Sequence, residues 1–128
     1  MFFLFCIDKC YLVFYEPMKT WHEAEAQCVF FGGHLASIRT ADINNFISSE
    51  VGTNQVVWVG GNDVTRETRW QWSDNGAWNE DVTFWRSTSY PRNSMSYNCM
   101  YYYNGKWTDD NCCSDKQFIC QYDLTNSD

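Results

Sequence analysis

Positive charge is scarce in this chain: nine Lys and Arg stand against sixteen Asp and Glu, a formal net charge of −7 over 128 residues. That excludes nucleic acid as a partner, because phosphate binding needs a basic footprint. No apolar run is long enough to span a bilayer. The apolar start, residues 1–7, lacks the cationic residues and the small-residue cleavage site of a signal peptide and is too short for its apolar region. Residues 1–9 are therefore read as either a truncated signal peptide or an edge strand, preceding a domain over 10–128. No Cys-x-x-Cys pair occurs, and neither His22 nor His34 stands at ligand spacing from a cysteine cluster, which argues against zinc. No Ser or Cys nucleophile is paired with a base at a recognisable spacing, which argues against an enzyme. Repeats, linkers and low-complexity runs are also missing, and 128 residues suit one domain.

Cysteines and aromatics are abundant. Seven cysteines in so short a chain point to an oxidising, extracellular compartment. Aromatics make up 19% of the residues, with seven Trp and eight Tyr, which suits both cores and recognition surfaces. Asn104-Gly105 is the strongest short signal for a two-residue hairpin turn, since both positions accept positive φ. Cys99 and Cys112 flank that hairpin, and a bridge between them would staple its ends.

The remaining pattern predicts an α+β fold. Residues 11–15 read as a strand ended by Pro17. Thr20 and Glu23 form a capping box, so a helix starts at Trp21. Trp21, Ala24, Cys28 and Phe31 share one face of it, and Gly32-Gly33 stops it. A second helix runs from about Ala41 to Glu50, capped by Thr40, with an apolar stripe of Ile43, Phe46, Ile47 and Val51. Residues 56–59, 69–72 and 118–122 read as strands. Residues 75–98 show little periodicity, and a loop of that length in a small domain is usually functional.

In this order and spacing the pieces resemble the C-type lectin-like domain from roughly Cys10 to Tyr122. They are Lys9-Cys10-Tyr11, Trp21 with Ala24 and Cys28, residues 33–38 (Gly-His-Leu-Ala-Ser-Ile) and Trp58-Val59-Gly60-Gly61. Residues 70–74 (Trp-Gln-Trp-Ser-Asp), Cys99, Asn104-Gly105-Lys106-Trp107, Cys112 and Phe118-Ile119-Cys120 follow. The resemblance implies two helices flanking small antiparallel sheets, bridges Cys28–Cys120 and Cys99–Cys112, and a ligand-bearing loop at 75–98. Cys6, Cys10 and Cys113 are left over. An extended 6–10 segment would hold its Cα atoms about 13 Å apart, beyond the roughly 4.4–6.8 Å of a disulfide, so Cys6 and Cys10 can bridge only if the chain curls. The odd count leaves a free thiol or a disulfide-linked dimer.

The resemblance also implies a calcium–sugar site, from which this chain departs. Pro91 matches the loop proline, but Tyr90 and Arg92 stand where oxygen ligands are expected, Tyr97 replaces a carboxylate, and Thr108 leaves only Asp109 of an Asn-Asp pair. No carboxylate lies between Asp81 and Asp109, while Arg86, Arg92 and Lys106 do. The principal calcium site is expected to be lost, and no cofactor is expected there. At an auxiliary calcium site Asp63 and Glu67 keep the spacing of two ligands, with Asn93 and Asn98 as neutral donors. The plainer reading is a solvated polar turn. Arg86, Tyr90, Pro91, Arg92, Tyr97 and Asp109 are the candidate ligand-binding residues, with Arg86, Tyr90, Arg92 and Tyr97 expected to be exposed. They suit a glycan bound without the principal calcium ion, or a protein ligand bound by a calcium-independent lectin-like domain.

Overall fold

Thr20 starts the first helix as its sequence requires. Its hydroxyl accepts from the Glu23 N–H, and the Glu23 carboxylate accepts from the Thr20 N–H at 3.1 Å. The structure is a computed structural model that describes residues 2–123. Among these it contains β1 (Phe2–Ile7), β2 (Lys9–Lys19), α1 (Trp21–Phe30), β3 (His34–Leu35), α2 (Ala41–Val51), β4 (Val56–Asn62), β5 (Gln71–Trp72), β6 (Cys99–Tyr103), β7 (Lys106–Asp110) and β8 (Lys116–Asp123). Trp21, Ala24 and Cys28 of α1 are buried as expected, but Phe31 lies beyond the helix and is exposed. α2 is capped by Thr40 at its start and by Gly52 at its end, whose φ of 89° is a conformation glycine adopts without strain.

The strands join into one mixed sheet in the order β1-β2-β8-β4-β6-β7, with β3 on β8 and β5 on β4. It is not a set of separate antiparallel sheets, because β4 and β8 run parallel. Pro17 does not end the second strand. β2 continues to Lys19 through a cis Glu16–Pro17 bond, with a register shift against β8 between Phe14 and Lys19. Residues 2–7 pair along β2, and the chain turns at Asp8 with φ 51°. That turn brings the Cys6 and Cys10 Cα atoms to 4.0 Å, and the two are bridged. The extended geometry considered for 6–10 is thus replaced by a hairpin.

Two apolar clusters fill the interior. One lies between α1 and the sheet and holds Trp21, Leu35, Trp58 and Phe118 around the Cys28–Cys120 bridge. Its tryptophans keep their N–H groups satisfied: Trp21 donates to the Val59 carbonyl at 2.8 Å and Trp58 to that of Lys19 at 3.0 Å. The other holds Ile47 and Val51 of α2 together with Trp70, Trp72, Tyr102 and Trp107. Trp78 and Trp85 of the long loop pack on Trp107 with ring centroids 5.5 and 5.4 Å away. The Cys99–Cys112 bridge ties the start of β6 to the segment after β7. Cys113 is exposed and outside these three bridges.

Candidate functional site

The long loop has no regular structure of its own, but short local bonds fix it. Tyr90 N–H donates to Ser87 O at 3.0 Å and Tyr97 N–H to Ser94 O at 2.9 Å, closing two turns around a cis Tyr90–Pro91 bond. Asp63 N–H donates to Asn98 O at 3.0 Å and ties the loop end to the segment after β4. These turns deliver Arg92 onto Asp109 of β7. The Arg92 backbone N–H donates to Asp109 Oδ2 at 2.7 Å, its Nε to Oδ1 at 3.2 Å, and its Nη2 to the Asp109 carbonyl. Asp109 is fully buried.

The same guanidinium lies over the Tyr97 ring, 3.8 Å from its centroid, and 5.3 Å from that of Tyr90. Arg86 is also 5.3 Å from the Tyr90 ring centroid and its Nη1 donates to the Tyr90 hydroxyl at 3.3 Å. Arg86, Tyr90, Arg92 and Tyr97 therefore form an alternating ladder of cations and aromatic faces, which such pairs favour. The four residues are brought together, but not all as free surface. Arg86 and Arg92 are exposed as expected, although Arg92 is also paired with Asp109, while Tyr90, Pro91 and Tyr97 are half-buried.

Calcium needs six to eight hard oxygen ligands. Beside Pro91 both carboxylate oxygens of Asp109 already accept from Arg92, and the charge next to them is positive. That donor set does not fit calcium. The signal for the pairing was present in the sequence: a lone surviving acid opposite a loop arginine is what a buried carboxylate requires.

The auxiliary position is different. Asp63 itself is buried, at 1% exposure, at the start of a largely exposed turn over 64–69. Its Oδ2 accepts from the Thr68 N–H at 2.9 Å, while Oδ1 has no partner. Glu67 Oε2 and Asn98 Oδ1 are also buried without partners. Burial pushes the Asp63 carboxyl up to about 6; the Thr68 N–H opposes this and the Glu67 carboxylate adds to it. Among the described residues no three His, Cys, Asp or Glu side chains cluster as a metal site. Here two carboxylates and an amide oxygen offer three hard donors of the kind calcium takes, and the rest of its six to eight ligands would have to come from elsewhere. Asn93 is exposed with φ 54°.

The histidines lie elsewhere. His22 is exposed on α1, and His34 Nδ1 is 2.6 Å from Glu25 Oε2, whose other oxygen accepts from the Leu35 N–H. In the hairpin, Tyr102 is buried, Tyr101 half-buried and Tyr103 exposed, as strand alternation requires.

The family model for the lectin C-type domain matches residues 18–122, and the chain belongs to that family. It is 32% identical over 127 residues to a lectin of Pleurodeles waltl, covering 91% of this chain and 72% of the relative. Several further curated relatives are much longer, and the chain spans only 27–44% of their length. The C-type lectin domain of murine dendritic cell inhibitory receptor 2, solved in complex with N-glycan, superposes with a TM-score of 0.84 at 26% identity, covering 94% of this chain and 95% of that one. A calcium-independent type II antifreeze protein superposes with a TM-score of 0.80 at 27% identity over 94% and 96% of the two chains. Among the described residues no helix is long and apolar enough to cross a membrane.

Proposed function

We propose that this domain recognises carbohydrate outside the cell through its long loop and the β6–β7 hairpin, without calcium beside Pro91 and Asp109. The observation that carries the calcium-independence is the Arg92–Asp109 pair, in which a guanidinium takes the place a metal ion would need. Carbohydrate recognition draws support from the lectin relatives and from the ladder of Arg86, Tyr90, Arg92 and Tyr97. Tyrosine faces suit sugar rings and arginine suits anionic or hydroxyl groups. An extracellular setting draws support from the three disulfides. A calcium ion at the auxiliary position would be held by Asp63, Glu67 and Asn98. When bound it would supply a crosslink between the long loop and the segment after β4.

A glycan array read with calcium and again with EGTA tests this proposal, using the natural chain and Asp63→Asn. The natural chain should bind the same glycans in both conditions, with any loss of affinity on chelation confined to the auxiliary ion. Asp63→Asn should show no response to EGTA. A chelator effect that persists in that variant would place calcium beside Pro91 and contradict the proposal. An array with no bound glycan in either condition would favour a protein ligand instead.

A further inference from the structure

The outer face of the hairpin holds a cavity distinct from the Arg92–Asp109 pair. Side chains alternate along β6 and β7. Tyr102 and Trp107 pair across the strands and point into the core, while Tyr101 pairs with Thr108 and Tyr103 with Lys106 on the opposite face. β4 extends that face, with Trp58 beside Tyr101 and Val56 beside Tyr103. The long loop closes its other side. Trp85 forms a parallel bridge with Trp107, and the Arg86 N–H donates to the Trp107 carbonyl at 2.8 Å, which sets Arg86 next to Thr108. The result is a cavity of about 540 Å³ lined by Arg86, Tyr101, Tyr103, Asn104, Lys106 and Thr108.

Its electrostatics are unlike those of the rest of the molecule. No lining residue is acidic, although the chain carries a net charge of −7. Among the described residues neither Arg86 nor Lys106 has a carboxylate partner. Lys116 of β8, which lies over the Tyr101 ring, is already neutralised by Asp110 at 2.8 Å. Two uncompensated cations thus flank two tyrosine rings, with an amide and a hydroxyl beside them. The negative field of the surrounding protein repels free anions, so an anionic ligand needs a second source of affinity, and the aromatic walls offer one to a sugar ring.

We propose that this cavity binds an anionic saccharide, with a sulfate or carboxylate between Arg86 and Lys106 and a sugar ring against Tyr101 and Tyr103. Asn104 and Thr108 serve its hydroxyls. The inference rests on the carbohydrate reading above and adds the ligand class and its seat.

Titration calorimetry in EGTA with N-acetyllactosamine, its 3′-sulfated form and its 3′-sialylated form tests it. At least one anionic form should bind about tenfold or more tightly than the neutral sugar, the scale of one charge-assisted contact. Raising the salt should narrow the gap. Lys106→Gln and Arg86→Gln should each remove most of the preference for the anionic form over the neutral sugar, and the winning form identifies the anion. Equal affinity for all three sugars would overturn the inference and leave carbohydrate recognition standing. A preference that survives both substitutions would overturn the assigned seat. Failure of all three sugars, with an array equally silent, would overturn both.

Discussion

Arg92 closes on Asp109 from three nitrogens at once, its backbone N–H, Nε and Nη2. Asp109 has no solvent exposure, so the guanidinium and backbone N–H stand in for its hydration. The pair also joins the middle of an aperiodic loop to a strand of the sheet. Ligand chemistry and loop structure therefore share one residue, which shapes what its removal should do.

Arg92→Ala should cost about 1–3 kcal/mol of stability, the penalty for a buried acceptor that loses its partner, with the backbone N–H still on Asp109 Oδ2, read by urea denaturation. Arg92→Lys should recover only part, because an ammonium cannot reproduce the planar fork. Adding Asp109→Asn to Arg92→Ala should regain stability, since the buried charge that lost its counter-ion is gone. Unchanged stability in Arg92→Ala would return Arg92 to the role its sequence position suggests, a residue free for ligand.

Calcium should raise the melting temperature through Asp63, Glu67 and Asn98. At a hundred times the dissociation constant the gain is about 2.7 kcal/mol. Asp63→Asn and Asn98→Ala should each reduce that response strongly. Asp63 titrates at about 6 without metal, so protons compete with calcium there and the calcium response should shrink as pH falls through that value. A melting curve indifferent to calcium at pH 7.5 would remove the ion from the account.

The long bridge should carry much of the domain's stability. Cys28 and Cys120 are 92 residues apart, and opening that loop costs about 4–5 kcal/mol on the chain-entropy model. The double variant Cys28→Ala, Cys120→Ala should lose that amount, a large share of an ordinary domain's stability. Chemical denaturation measures it, and a loss below about 1 kcal/mol would contradict the nested-loop picture.

The sequence made the framework legible wherever local chemistry decides. Thr20 with Glu23, Thr40, Asn104-Gly105 and the tryptophan pattern each act within a few residues. Cys6–Cys10 was harder, because its geometry depends on Asp8 entering positive φ, which no neighbouring glycine announced. Pro17 reads as a strand end but sits in a register shift of β2. The site was legible in composition more than in geometry. Arg86, Tyr90, Arg92 and Tyr97 could be picked out as a group, but their stacking order depends on two loop turns and on a bond to a strand. The burial of Asp63 and the placing of Arg86 and Lys106 on one cavity arise from long-range contacts that alternation and spacing do not encode.

Crystals grown with calcium test the central claim most directly. Arg92 should remain on Asp109, with no ion beside Pro91, whatever occupies the pocket of Asp63. An ion bound to Asp109, with the Arg92 guanidinium swung away, would contradict the account.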